Sequence, residues 1–422
     1  MNHPSWPSGT REPGIRAGTA LAVILAIASG LRIADLGRNS LWFDEAFVVW
    51  VTRLGWQNIP PHGDFHPPLY YLLMKAWVGI AGTGEAAIRF PSACFSVVSV
   101  GLAYALARRV CSERVGLLTA LLVSVSPFQI MAGQDARMYS LLAMLALAST
   151  LALVMSIGRG GALRWAGYVV LAALMVYTQY LGFFVLIAHG IWVASYERVH
   201  FTRWLAGMVA AGLLYAPWMP SLWYQTVHMR DWTYWPDGAM YRNLLDLLGL
   251  YAFGGSLFGM ANYFFGGTLG AVEQFIILLP FLAVLWRGVI SLGSERRSLA
   301  LLGLPPAVTI ATMSALYLIK PIFYPRWFSF LSPFYAMFLA QGIVDVAERF
   351  RGQRDRSLAF LTAGLLLYSA PVLAHYYFDP GFRPYQWRAA AALVRREVRP
   401  GDFFLYVGQA AEISFTYYFR DP

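Results

Sequence analysis

About eleven apolar segments, each near the twenty residues that a helix needs to cross a bilayer, dominate this 422-residue sequence. Hydrophobic residues make up 58% of the chain and charged residues only 13%, a balance too apolar for a water-soluble globule. The pattern predicts an all-α polytopic membrane protein with about 11 transmembrane helices. The segments lie at roughly 15–34, 90–108, 115–132, 138–157, 164–180, 182–196, 203–219, 268–287, 300–319, 327–346 and 357–375.

The net charge of +10 comes from arginines that cluster between these segments. Lys and Arg concentrate in cytoplasmic loops, so the clusters predict the cytoplasmic side of the cytoplasmic (inner) membrane, with a cytoplasmic N-terminus. Membrane orientation therefore explains the basic charge, and we expect no nucleic-acid partner. The clusters are Arg108, Arg109 and Arg114; Arg159 and Arg164; Arg198 and Arg203; Arg287, Arg296 and Arg297; Arg349, Arg351, Arg354 and Arg356; and, before the first segment, Arg11 and Arg16.

The opposite, non-cytoplasmic side then receives the longest connections. Residues 35–89 form a first outer loop, which we expect to be catalytic, and residues 220–267 form a large outer loop. Within the first loop, PPLYYLLMKAWVGIAG has the Pro, Tyr, Trp and Lys of an interfacial helix. We predict a transmembrane domain over 1–375 and a small α/β segment over 376–422, with a helix near Tyr385–Arg396 and a strand at DFFLYV.

Chemically capable side chains concentrate in the first outer loop. Asp44 and Glu45 are adjacent, so in regular structure one can face a cavity while the protein holds the other. A carboxylate buried by the apolar flanks of LWFDEAFVVW, near an acceptor hydroxyl, is a candidate general base. The alternative is an exposed acidic pair at a helix start.

The same loop carries the H-x-D-x-H sequence of His62, Asp64 and His66. Such spacing can present ligands to one metal, but no fourth ligand is evident. His66, directly before Pro-Pro, can instead orient a phosphate or Asp44. We therefore predict no required metal, with these three residues as weak candidates and a divalent cation left open.

Two further segments place charges at the outer ends of apolar segments. GQDARMY contains Asp135 and Arg137, and YLIKPIFYPRWF contains Lys320 and Arg326. Three cations near one cavity would suit a phosphate, with Asp135 shaping the acceptor or base site. Alternatively, Asp135 and Arg137 cap their turn as a pair, and Lys320 and Arg326 reach the headgroups as helix-end cations commonly do.

The order of DEA, HPPLYYLLMKAW, GEAAIRFPSACFSVVSVGLAYALARRV and SPFQIMAGQDARMYSLLAMLALAS resembles the GT-C superfamily, in particular its bacterial PMT-like branch. That branch is similar to protein O-mannosyltransferases and lipid A aminoarabinose transferase. The resemblance covers about residues 40–150 and is weaker at YPRWFSFLSPFYAMFLA, where Trp327 replaces the Tyr of the family pattern. It implies a GT-C-type catalytic core with outer-face loops and interfacial helices.

The resemblance also implies an inverting glycosyltransferase, hexosyl- or pentosyl-transferring, on the outer face of the membrane. Its partners would be a polyprenyl-phosphate sugar donor, a glycan, lipid or protein acceptor, and membrane lipids. The implied catalytic residues are Asp44, Glu45 and Asp135; the donor phosphate would contact His66, which stands where some relatives have Lys, and Arg137, Lys320 and Arg326; Tyr70, Tyr139 and Tyr324 are candidate substrate contacts.

Two other classes compete with this interpretation. A lipid-linked-sugar flippase or other transporter would also be polytopic, although transporters carry charges or broken helices at mid-bilayer and the charges here gather at segment ends. A zinc hydrolase built on His62, Asp64 and His66 would need another ligand.

Overall fold

The computed structural model describes residues 15–59, 66–228, 240–253, 271–319, 323–350, 352–379 and 385–419. Regular structure in these ranges is helical throughout, with no β-strand. The α-helices are α1 Ile15–Ile33, α2 Phe43–Thr52, α3 Leu69–Ala81, α4 Glu85–Val110, α5 Glu113–Val125, α6 Pro127–Gly133, α7 Tyr139–Arg159, α8 Ala162–Thr178, α9 Gly182–Tyr196, α10 Phe201–Tyr215, α11 Met219–His228, α12 Met240–Phe253, α13 Ala271–Leu292, α14 Arg296–Ile319, α15 Ser332–Arg349, α16 Arg354–Phe378, α17 Trp387–Glu397 and α18 Gln409–Tyr418.

Six helical runs in the described ranges are long and apolar enough to cross a membrane, and two bent helix pairs raise the number to eight. The prediction of an all-α polytopic membrane protein is confirmed. The count of eleven stays a prediction, because several expected spans are shorter apolar helices. The six runs are Ile15–Ile33, Glu85–Val110, Tyr139–Arg159, Arg198–Val227, Arg296–Ile319 and Pro325–Arg349; the short helices at expected spans are Ala162–Thr178, Gly182–Tyr196 and Leu278–Leu292. Leu69–Ala81, expected as an interfacial helix, is also a shorter apolar helix.

The segment expected as one span over 115–132 is broken, since α5 and α6 meet at an angle of 62°. Pro127 occupies the start of α6, where its missing N–H costs nothing, and the Ser126 side chain accepts from the Gln129 amide. Buried Arg32 donates to the carbonyls of Val123 at 3.0 Å and Ser124 at 2.7 Å. These bonds satisfy carbonyls that the break removes from the helix.

A buried apolar cluster joins the segments that carry the candidate site. Its members include Val48 of α2, Tyr71 of α3, Leu142 of α7 and Phe328 of the 3₁₀ turn at Pro325–Leu331, all fully buried. Apolar burial at about 25 cal/mol per Å² is the main force that holds such elements together. The first loop therefore packs against the start of α7 and the turn before α15.

The C-terminal segment differs in part from the expectation. Its helix is present as α17, close to the predicted range, but residues 402–406 form no strand. A strand needs ladder hydrogen bonds to a neighbouring strand, and the described chain offers none. The α/β character expected of the tail is thus corrected to α, with α18 packed on α2.

Candidate active site

Asp44 lies in the first turn of α2, and its side chain is 16% exposed. Its Oδ2 is 3.3 Å from Nη2 of Arg326 and 3.8 Å from Nε of Arg137. The three residues come from three separate segments of the chain. The structure thus brings together three of the residues that the sequence singled out. Two guanidiniums beside one carboxylate leave a net positive charge at this position.

Glu45, the neighbour of Asp44, is held entirely by the protein. Its Oε1 is 2.7 Å from Nε of Arg89 and its Oε2 is 2.5 Å from Nη2 of the same residue. The backbone amide of Ala136 also donates to Oε1 at 3.0 Å. The side chain is 1% exposed. Glu45 therefore fixes the first loop against α4 and the turn that carries Asp135.

Arg89 is a central residue of the site that sequence reasoning missed. Besides Glu45, its guanidinium donates to the carbonyls of Leu36, Asn39 and Ser40 at 2.7 to 3.3 Å. Arg89 stands apart from the Arg108–Arg109 pair at the other end of the same helix. A charge isolated among apolar residues was the available signal, since such charges are retained for a purpose. Arg89 shapes the chain that leads into Asp44.

Asp135 lies in the turn between α6 and α7. Nε1 of Trp42 donates to its Oδ1 at 3.0 Å. Burial, together with the negative charge of Glu45, raises the pKa of Asp135 to about 7, because both disfavour the charged carboxylate. Asp135 therefore holds its proton to a higher pH than an exposed carboxyl does.

Aromatic rings surround the cation of Arg326. The Cζ atom lies 4.4 Å from the ring centroid of Trp42 and 4.5 Å from that of Tyr324. Such contacts attract the cation to the negative ring faces. The Arg326 side chain remains 34% exposed, so a ligand can reach it, whereas Arg137 is 2% exposed and donates to the Tyr71 hydroxyl at 3.3 Å.

The remaining candidates are placed less centrally or lie outside the described residues. Tyr139 is buried at the start of α7, within electrostatic range of both arginines. Tyr70 is fully buried, with its hydroxyl 3.0 Å from that of Ser92, which indicates a packing contact. His66 lies half-buried before α3. His62, Asp64 and Lys320 lie outside the described residues. Among the described residues, no group of three or more His, Cys, Asp or Glu side chains could hold a metal ion.

Comparison with known proteins gives one family and several related structures. The family model for dolichyl-phosphate-mannose-protein mannosyltransferase matches residues 65–224. The apo structure of ArnT from Cupriavidus metallidurans aligns with a TM-score of 0.63 at 15% identity, covering 96% of this chain and 85% of ArnT. ArnT bound to undecaprenyl phosphate gives 0.59 at 14% identity, covering 95% of this chain and 85% of that one.

The archaeal oligosaccharyltransferase AglB from Archaeoglobus fulgidus, in complex with an inhibitory peptide and a dolichol-phosphate, aligns with a TM-score of 0.59 at 15% identity. That alignment covers 96% of this chain but only 60% of AglB. No curated protein sequence matches the chain significantly.

The chain shares its overall fold with ArnT and with the part of AglB that the alignment covers. The family-model match at residues 65–224 overlaps the resemblance predicted at about residues 40–150. Nothing in these comparisons supports the transporter alternative.

Proposed function

We propose that this protein transfers a sugar from a polyprenyl-phosphate donor to an acceptor hydroxyl or amine, with inversion at the anomeric carbon. The observation that carries the proposal is the carboxylate of Asp44 flanked by Arg137 and Arg326 at 3.8 and 3.3 Å. The likeness to ArnT bound to undecaprenyl phosphate and to AglB with a dolichol-phosphate supports the choice of donor. The acceptor belongs to a glycan, lipid or protein.

In the proposed reaction, Asp44 acts as the general base. It takes the proton of the acceptor as the acceptor atom attacks the anomeric carbon on the face opposite the phosphate. The bond from the anomeric carbon to the phosphate oxygen breaks, and the phosphate leaves with the electron pair. Arg137 and Arg326 meet the developing negative charge with charge-assisted hydrogen bonds. A leaving group stabilised in this way needs no general acid.

The other candidates take supporting roles in this proposal. Glu45 acts through its ion pair with Arg89, which fixes the position of the preceding chain and of Ala136. Asp135, which accepts from Trp42 two positions before Asp44, is proposed to shape the acceptor or base site. The proposed reaction uses no cofactor. His66 and Lys320 are proposed as additional phosphate contacts, and Tyr139 and Tyr324 as substrate contacts. Tyr70, expected as a substrate contact, is instead assigned to packing because it is fully buried against Ser92.

We place this site on the non-cytoplasmic face of the cytoplasmic membrane. The arginine clusters between the apolar segments support a cytoplasmic N-terminus, because basic loops stay on the cytoplasmic side. The outer loops are then 35–89 and 220–267. The transmembrane glycosyltransferase domain spans 1–375, and residues 376–422 form a small non-cytoplasmic segment.

The test is the Asp44→Asn variant, reconstituted in nanodiscs with a labelled polyprenyl-phosphate sugar and analysed for transfer. Loss of a general base should lower turnover by about two orders of magnitude or more. Asp345→Asn is the matched control: this carboxylate is also held by two arginines, Arg287 at 2.5 Å and Arg349 at 3.3 Å.

Asp345 lies 13 positions beyond the start of α15, roughly 20 Å along the helix. We therefore expect its replacement to leave turnover unchanged. Full activity of Asp44→Asn would refute the base assignment. The donor class is tested separately by lipid analysis of a deletion strain, where accumulated polyprenyl-phosphate sugar is expected and its absence would count against the proposed donor.

A further inference from the structure

The indole of Trp42 contacts three parts of the chain at once. Its Nε1–H donates to Asp135 at 3.0 Å. Its ring centroid lies 4.4 Å from the Cζ of Arg326. The ring also stacks with that of Tyr385, at 6.1 Å between centroids and 20° between planes. Trp42 thereby connects an acid of the α6–α7 turn, a cation of the phosphate site and the C-terminal segment.

We propose that Trp42 is a positioning residue that holds Asp135 and Arg326 beside Asp44, with Tyr385 supporting its ring. This role rests on the proposed glycosyl transfer. Trp42 itself immediately precedes α2, and its backbone amide donates to Oε2 of Glu45 at 3.4 Å. The Trp42 backbone is therefore bonded to the helical turn that contains Asp44. The position of the indole, and with it the positions of Asp135 and Arg326, is fixed relative to Asp44.

The N–H edge of the indole acts on Asp135. An indole N–H can only donate, so the bond favours the ionised carboxylate of Asp135 against burial and the charge of Glu45. Loss of this donor should raise the pKa of Asp135 further above its ordinary range. The charged and titratable groups that face Asp135 are Glu45, Arg89, Arg137, Arg326, Tyr70, Tyr139, Tyr376 and Tyr385.

The face of the indole acts on Arg326. That side chain is long and 34% exposed, and a free arginine loses rotamer freedom when it binds a phosphate. Contact with Trp42 and Tyr324 restricts it before the ligand arrives. Removal of the Trp42 face should therefore weaken binding of a phosphate, while loss of the N–H alone should not.

The C-terminal segment holds the chain on which Trp42 sits. Arg388 pairs with Glu85 at 2.5 Å and donates to the Gly37 carbonyl at 2.9 Å. The Leu41 amide donates to the Tyr418 hydroxyl at 2.6 Å. These contacts fix residues 37–41, next to Trp42. Tyr385 therefore approaches the indole from a segment that is itself anchored to the same loop.

Two substitutions separate the two contacts of the indole. Trp42→Phe keeps an aromatic face and loses the N–H; Trp42→Leu loses both. For Trp42→Phe we expect the limb of the pH–rate profile that Asp135 sets under this proposal to move to higher pH by about one to two units, the scale of one hydrogen bond to a charged group. Its affinity for undecaprenyl phosphate in nanodiscs should stay at the wild-type value.

Trp42→Leu should show the same shift of the pH profile together with roughly three- to tenfold weaker binding of undecaprenyl phosphate, the scale of one cation–π contact. Inorganic phosphate as a second probe separates recognition of the headgroup from recognition of the lipid chain. Trp286→Phe is the control, since Trp286 is 63% exposed on α13 and should change neither measurement.

A wild-type pH profile in Trp42→Phe would overturn the role of the N–H edge, and wild-type lipid-phosphate affinity in Trp42→Leu would overturn the role of the ring face. Tyr385→Ala should shift the pH profile in the same direction by a smaller amount; an unchanged profile would remove the C-terminal segment from the proposal. The proposed function fails in a different way, through a wild-type protein that neither binds undecaprenyl phosphate nor transfers sugar.

Discussion

Replacement of Asp44 by Asn should tighten the binding of a sugar-free polyprenyl phosphate even as it lowers the rate of transfer. The Oδ2 atom of Asp44 lies 3.3 Å from the guanidinium of Arg326 and 3.8 Å from that of Arg137. These are the two guanidiniums that we propose bind the phosphate. An anionic ligand must therefore compete with the carboxylate for the same donors. A neutral amide at position 44 removes that competition and leaves both cations in place.

The magnitude follows from the two distances. At an effective dielectric constant of about 20, each Asp44–arginine attraction amounts to roughly 4–5 kcal/mol before desolvation is subtracted. Measured ion pairs retain far less, about 0.2–1 kcal/mol when exposed. Asp44 is 16% exposed and Arg137 is 2% exposed, so their ion pair should retain more energy than an exposed pair does. A combined net gain of about 1–2 kcal/mol corresponds to roughly five- to thirtyfold tighter binding.

The assay is the equilibrium affinity for undecaprenyl phosphate in nanodiscs, measured side by side for wild type, Asp44→Asn and the control Asp345→Asn. The control removes a carboxylate held by Arg287 and Arg349, so it should leave the affinity unchanged. Inorganic phosphate should show the same ranking at lower affinity. Unchanged or weaker binding in Asp44→Asn would refute the view that Asp44 and the phosphate share Arg137 and Arg326.

Three other results are expected. Arg137→Ala should weaken undecaprenyl-phosphate binding and lower turnover; unaltered affinity would remove Arg137 from the phosphate site. Glu45→Gln should cost about 3–5 kcal/mol of stability, because it leaves the buried cation of Arg89 without its counter-ion, and Tm in a thermal unfolding assay should fall; the double variant with Arg89→Met should recover part of the loss, and an unchanged Tm would contradict the reasoning. With both native cysteines replaced, a cysteine at Gly63 should react with an impermeant thiol reagent in intact spheroplasts and one at Gly352 only after permeabilisation; the reverse pattern would overturn the proposed orientation.

The sequence alone determined the class of the fold and singled out several residues of the candidate site. Apolar runs near twenty residues specify membrane helices because a helix satisfies all of its backbone hydrogen bonds within the one segment that crosses the bilayer. That rule is local, so it can be read along the chain. Asp44, Asp135 and Arg137 were recognisable as candidates because charges are scarce in this sequence. Charges within a membrane are costly, so a charged residue at the end of an apolar helix indicates a functional role.

Local reading also had clear limits. The sequence predicted an unbroken span over 115–132, but the chain bends by 62° at Ser126 and Pro127. The apolar pattern of a straight helix and of a bent helix pair is the same, so the pattern could not predict the bend. Likewise, the sequence predicted a strand at DFFLYV from β-prone residues. A strand depends on a partner elsewhere in the chain, and the described residues supply none.

Only the tertiary structure decided how the site is assembled. It paired Glu45 with Arg89 and placed Asp44 beside Arg326. The two acids are neighbours in the sequence and have the same apolar residues on either side, so the sequence does not distinguish their partners. The tertiary structure also gave Trp42 its contacts with Asp135 and Arg326. Hydrogen bonds and ion pairs require atoms within about 3 to 4 Å. For residues 44 positions apart, or 282 positions apart, such closeness is fixed by the packing of the helices between them, which no local pattern records.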